Sequence, residues 1–234
     1  MIIKVCGMRV AQNIRQVSEL GIDWLGIVFW PESPRYVSQV YSRGGFIPDY
    51  TSFADEQPKL GGNPIFRYAE NNPKRVGVFV DDMPQNIVTR VANFNLDFVQ
   101  LHGEESPVMI ENLRATLEPD IRPNVKIIKT IGVETAADFA KCTPYVGLAD
   151  YFLFHNKCEQ KGGSGEKFDW SLLGEYTLDV PFLISGGIGP DDVERIKAVS
   201  HPQFAGIDVN SQFETEPAVK DVEKLKTFVD ALRA

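Results

Sequence analysis

Short apolar runs recur along the whole chain, and the stretches between them carry helical spacing. The runs fall at Ile2 to Cys6, Trp24 to Phe29, Arg75 to Val80, Phe98 to Leu101, Lys126 to Thr130, Tyr151 to Phe154, Phe182 to Ser185 and Gly206 to Val209. Several are apolar at successive rather than alternate positions, most plainly Val76-Gly77-Val78-Phe79-Val80, which suits strands covered on both faces. Helices are clearest at Met83 to Asn93, with Pro84 near the start, at Ser106 to Leu117, where Ser106 can cap and Pro107 can open the first turn, and at Pro217 to Leu232. Those cap and proline positions are the ones a helix start favours. Strands alternating with helices build parallel βαβ units. About eight strands are what a closed barrel needs, so the pattern predicts an α/β chain folded as a single (β/α)8 TIM barrel over residues 1–234.

One stretch breaks the rhythm. From 38 to 72 the chain is dense in Gly, Pro, Asn and Asp and holds no sustained helical period. A long irregular segment between strands 2 and 3, with at most a short helix, is expected there. It follows the C-terminal end of a strand, which is the face where barrels keep their active sites. Two readings stay open for it, a lid over the site or a plain surface insertion.

Composition narrows the partners. Acidic residues number 32 against 24 Lys and Arg, a formal net charge of −8, which argues against nucleic acid and against an anionic membrane. Any small anionic ligand must then be held by local groups. No apolar run approaches the length of a bilayer, and Met1 leads straight into Ile2-Ile3-Lys4-Val5 with no signal peptide. Cys6, Cys142 and Cys158 lie far apart, form no close pair and are odd in number, which points to reduced thiols in the cytoplasm. Cys142 and Cys158 read as space-filling residues, and both a monomer and a homodimer are compatible with the sequence.

Barrel chemistry sits where strands end. The stretch Pro181 to Ser211 holds two such ends, one with Gly186-Gly187 and one with Asn210-Ser211, and Pro190 opens a helical pattern after the first. Paired glycines bring backbone N–H groups close to an anion, and a helix N-terminus adds its dipole, so these loops suit a phosphate. The plain alternative is a tight turn. Cys6 ends the first strand, where a thiol is either a reactive group tuned by its surroundings or inert packing. Arg35, after the stiff Ser33-Pro34 turn, suits a carboxylate ligand or is simply solvated. His102 follows the fourth strand as a hydrogen-bonding or structural group. The sixth strand runs into His155-Asn156-Lys157 and then Gly162-Gly163-Ser164-Gly165, and Asp208 lies at the end of the eighth.

The ordered set KVCGMR at 4–9, SPRYVS at 33–38, VGVFVD at 76–81, QLHGEE at 100–105, GGSGEKFDWSLL at 162–173, PFLISGGI at 181–188 and GIDVNS at 206–211 resembles the phosphoribosylanthranilate isomerase family of tryptophan biosynthesis. The resemblance implies a barrel without cofactor or metal. It also implies an Amadori rearrangement of a small phosphorylated substrate, N-(5′-phosphoribosyl)anthranilate. By the same likeness Cys6 is the general base and Arg35 grips the anthranilate carboxylate; to serve as a base the thiol would have to be tuned toward neutral pH by the helix dipole or by Lys4 or Arg9. The phosphate then rests on backbone amides at Gly186, Gly187, Asn210 and Ser211, and the glycine-rich loop with Gly163 covers the site.

The departure from the family pattern is at the acid. An aspartate is expected in an L-x-D-N or L-x-D-T pattern at the end of the sixth strand, and this chain has His155 in Leu153-Phe154-His155-Asn156. Either an imidazolium donates the proton with a shifted pH optimum, or catalysis is weakened and the barrel mainly binds a phosphorylated ligand. Asp208 is the nearest candidate to share the acid role, whereas Asp150 starts the sixth strand at the far end of the barrel. A related phosphosugar enzyme is the other alternative, and Cys6, where such an enzyme carries an acidic base, speaks against it.

Overall fold

The computed structural model describes residues 1–38, 73–118, 120–156 and 169–234. Eight parallel strands close into a barrel in chain order: β1 (Ile2–Val5), β2 (Trp24–Val28), β3 (Lys74–Phe79), β4 (Phe98–Leu101), β5 (Lys126–Val133), β6 (Tyr151–Asn156), β7 (Phe182–Ser185) and β8 (Phe204–Val209). Closure is made between β8 and β1, where Ile3 lies opposite Ile207 and Lys4 opposite Asp208. Among the described residues the α-helices are α1 (Ala11–Ser18), α2 (Pro84–Phe94), α3 (Pro107–Leu117), α4 (Val193–Lys197) and α5 (Val222–Arg233). The eight-stranded barrel expected from the sequence is therefore the fold. Residues 39–72, which hold nearly all of the expected irregular segment, lie outside the described residues, as do Cys158 and Gly163.

Local chemistry explains the helix starts. Ser106 accepts a hydrogen bond from the Met109 N–H ahead of Pro107, and Asp221 does the same for Lys224, each satisfying an amide that the first turn leaves open. Asp221 also corrects the expected helix from Pro217. Residues Glu214–Glu216 (β9) and Val219–Lys220 (β10) instead form an antiparallel hairpin, turned at Ala218 with φ of 72°. Asn13 of α1 holds this hairpin in place, donating to the Lys220 carbonyl and accepting from the Lys220 N–H. Between β5 and β6 the chain makes 3₁₀ turns over Ala136–Tyr145, with Pro144 inside them, because a proline cannot continue an α-helical ladder.

Alternation along the strands sorts the side chains into two cores. One face of each strand packs outward on the helices, including Ile3, Leu25, Phe79, Phe154, Phe182 and Ile207. The other fills the barrel. Its floor is Trp24, Val76, Phe98, Ile128, Leu153 and Leu183, with Ile2 and Tyr151 against them. The Trp24 and Phe98 rings sit 4.1 Å apart, and Tyr151 meets Trp24 edge-on at 5.1 Å. Above this plug comes a polar layer of Lys4, Gln100, Thr130 and Asp208, all buried.

Gly206 shows how tightly the closing seam is packed. A Cβ there would stand 2.0 Å from the Ile2 carbonyl oxygen, and backbone cannot step aside as a flexible side chain can. Gly206→Ala is expected to cost about 1–3 kcal/mol of stability by overpacking, read as a lower midpoint of chemical denaturation.

Candidate active site

Cys6 follows β1 directly, and its parity with Lys4 turns it toward the barrel interior at the C-terminal mouth. It is buried with Val28 and Val78, and Trp30 packs against them. Lys4 lies one layer below, fully buried, with Nζ 2.9 Å from Asp208 Oδ2. Gly26 on β2 makes the space for this pair of groups: a Cβ on it would come within 2.8 Å of the Cys6 sulfur and 3.2 Å of Lys4 Nζ. Burial pulls the Lys4 ammonium toward neutrality, but Asp208 and Cys6 outweigh it and hold the pKa above its ordinary value. Lys4 is thus a fixed cation between a carboxylate and a thiol.

The thiol itself answers to burial first. Desolvation raises its pKa above the ordinary range, Lys4 and Lys220 pull it down, Asp208 pushes it up again, and the net direction is upward. This corrects the expectation of a thiol tuned toward neutral pH. The helix dipole does not rescue it, since α1 begins only at Ala11 after a turn with Gly7 at φ 74°, and Arg9 donates to the Pro34 carbonyl.

Arg35 leans over Gly7. A Cβ at Gly7 would meet Arg35 Cδ at 2.5 Å and Asn210 Oδ1 at 2.7 Å, so the glycine next to Cys6 is what lets both side chains close over the mouth. The turn before Arg35 is pinned by its own N–H donating to Ser33 Oγ and by Val37 N–H reaching the Val28 carbonyl. The guanidinium is already engaged: Nε lies 2.9 Å from Glu214 Oε1, and Nη2 lies 2.6 Å from Oε2. Glu214 and Lys220 were not legible as site residues: Lys220 falls inside the helix expected from Pro217, and Glu214, just before it, carries no local signal of its partner.

On the other side of the mouth, His155 occupies the next-to-last position of β6 and shares parity with Leu153 in the floor, so it faces inward. Its ring centroid is 5.0 Å from that of His102, which follows β4. Gln100 Nε2 donates to Thr130 Oγ1 at 3.2 Å and stands 3.5 Å from His102 Nδ1. Burial lowers the His155 pKa, a hydrogen bond with the Asn156 backbone resists, and the Lys129 charge lowers it further. Lys129 belongs to a second buried ion pair, 3.0 Å from Glu105, whose carboxylate also accepts from the Gly103 and Asp81 N–H groups. Asp150 is confirmed at the opposite end, bonded to Arg114 and to the Ile127 N–H.

The two loops expected to hold a phosphate are neighbours, since Ser185 of β7 lies opposite Asp208 of β8. Gly186 and Gly187 take φ of 93° and 64°, values only glycine adopts freely. Asn210 accepts a hydrogen bond from Lys220 Nζ at 2.7 Å, and Ser211 opens a single 3₁₀ turn. The helical element after the glycines is weaker than expected. It is a 3₁₀ turn at Pro190–Asp192 leading into the five-residue α4, and the Gly189 N–H is taken by Asp192. Any anion here depends on backbone amides rather than on a long helix dipole.

The chain matches the family model described as N-(5′-phosphoribosyl)anthranilate (PRA) isomerase over residues 63–231. A protein of that name from Parabacteroides distasonis is 41% identical over 232 residues, covering 99% of this chain and 93% of its own length. This chain belongs to the phosphoribosylanthranilate isomerase family. A second relative of the same name, from Phocaeicola vulgatus, is 37% identical and covers 100% of this chain and 98% of its own. Among solved structures, the family's Thermus thermophilus member superposes with a TM-score of 0.75 at 25% identity, over 100% of this chain and 98% of that one. The Thermotoga maritima member gives 0.74 at 28% identity, over 100% and 99%. Another member of the family, at 26% identity with a TM-score of 0.70 over 100% and 99% of the two chains, was solved in complex with reduced 1-(o-carboxyphenylamino)-1-deoxyribulose 5-phosphate. These likenesses favour the enzyme over a barrel that only binds, and give that second reading no support.

Proposed function

We propose that this chain catalyses the Amadori rearrangement of N-(5′-phosphoribosyl)anthranilate to 1-(2-carboxyphenylamino)-1-deoxyribulose 5-phosphate, a step of tryptophan biosynthesis, with Cys6 as general base and His155 as general acid. The observation that carries the reading is Cys6 held beside Lys4, Asp208 and Arg35 at the mouth of a barrel with this family's sequence. The His155 imidazolium gives its proton to the ribose ring oxygen as the C1′–O4′ bond breaks, and the anilino nitrogen lone pair forms the C=N bond. The Cys6 thiolate then takes the proton on C2′, and those electrons form the enolamine. Ketonisation protonates C1′ and releases the C2′ hydroxyl proton, so the net proton count is unchanged.

Lys4 supports the thiolate with a fixed positive charge, and Asp208 keeps that lysine charged and in place. His102 lies beside His155 and limits its movement. Arg35 takes the anthranilate carboxylate, and amides near Gly186, Gly187, Asn210 and Ser211 take the phosphate, with Gly163 in the covering loop. Among the described residues no helix is long and apolar enough to cross a membrane, and Cys6 and Cys142 are free thiols, which supports a cytoplasmic setting. The test is turnover of phosphoribosylanthranilate by the purified chain. Consumption of substrate with formation of the ketose supports the reading; tight binding of the reduced product without turnover ends it.

A further inference from the structure

We infer that Glu214 is a positioning residue for the substrate carboxylate: held by Lys220, it orients the Arg35 guanidinium and sets the charge of the grip. The inference rests on the proposed carboxylate role of Arg35. Glu214 takes the Nε–Nη2 edge of the guanidinium through Oε1 and Oε2, with the shorter contact at 2.6 Å. The planar fork has a second edge, which includes Nη1, and no hydrogen bond of Nη1 is made among the described residues. A guanidinium fixed along one edge presents the other in a single orientation, which is what bidentate recognition of a carboxylate requires.

A lone Glu214 would defeat this arrangement by cancelling the arginine charge. Lys220 prevents that. Its ammonium, fully buried, lies 2.6 Å from Glu214 Oε1 and 2.7 Å from Asn210 Oδ1, so two cations share one carboxylate and a net positive charge remains for the ligand. Burial raises the Glu214 pKa, but Arg35 and Lys220 outweigh it and hold the carboxyl below its ordinary range. Asn210 also ties the device to the phosphate loop, and both Asn210 and Arg35 rest over Gly7 beside the thiol. One hairpin, anchored to α1 by Asn13, thereby sets the spacing between the two anionic ends of the substrate.

The opposite role is physically possible. A carboxylate on Arg35 could compete with the ligand, and its removal would then tighten binding, so the sign of the effect decides. Calorimetry with two probes measures it: reduced carboxyphenylamino deoxyribulose phosphate and the phenylamino analogue that lacks the carboxyl group. In Glu214→Gln the ratio of the two affinities is expected to fall about tenfold or more. A ratio taken within one variant is insensitive to any loss of folded protein. Glu214→Asp, which keeps the charge but withdraws it by one methylene, is expected to lower the ratio in the same direction, and it serves if the first variant does not fold. Equal losses on both probes, or tighter binding of the carboxylated one, overturn the inference alone. A wild-type chain that does not distinguish the probes removes the carboxylate role of Arg35, and the inference with it.

Discussion

Replacing Cys6 by alanine lowers kcat by about 10²–10⁴-fold while the reduced product analogue still binds within a factor of about three. In the proposed mechanism the Cys6 thiolate removes a proton from carbon, and the adjacent carboxylate, Asp208, is committed to Lys4 at 2.9 Å. Binding survives because the proposed carboxylate and phosphate contacts come from other elements. Cys6→Ser separates base strength from shape, since a hydroxyl fills the space above Gly26 but does not ionise in the working range. Its kcat is expected near that of the alanine variant. A serine enzyme within a factor of about ten of wild type would show that proton abstraction is done by another group.

The barrel was legible because its evidence is repetitive. Eight apolar runs separated by helical spacing leave few alternatives, and each run needs only to be found, not measured. Residues at strand ends were legible for the same reason: parallel strands all point their C-terminal ends one way, so Cys6, His102, His155 and Asp208 share a face once the fold is fixed. What stayed hidden was the pairing of long side chains across distant segments. Arg35 and Glu214 are 179 positions apart, and nothing in the local pattern of either announces the other. The second strand of the hairpin was hidden inside the helix expected from Pro217, although Asp221, a good cap, marked the true start. The sign of the Cys6 shift was out of reach too. It depends on how much water the folded mouth excludes, and a sequence names charges but not burial.

The pH dependence of kcat/KM follows from the two opposed shifts. Burial lifts the Cys6 thiol above its ordinary value and drops the His155 imidazole below its own. The two shifts move the groups apart, so the productive combination, thiolate with imidazolium, is a minor form of the free enzyme. Its fraction is nonetheless constant between the two pKa values, because rising pH gains thiolate as fast as it loses imidazolium. The expected profile is a broad plateau. Its acidic edge belongs to His155 and lies on the acidic side of an ordinary imidazole, and its basic edge belongs to Cys6 and lies on the basic side of an ordinary thiol. Removing the acid changes the shape as well as the height. His155→Gln is expected to lose about 10²–10⁴-fold on the plateau and to show no acidic plateau edge, since only the thiolate fraction then varies and the rate rises steadily until the thiol is ionised. His155→Asp keeps an acid and moves the acidic edge to lower pH, toward the carboxylic range near about 4. A His155→Gln profile with the wild-type acidic edge would assign the general acid to another residue, and Asp208, paired with Lys4 beneath the thiol, would be the group to replace next.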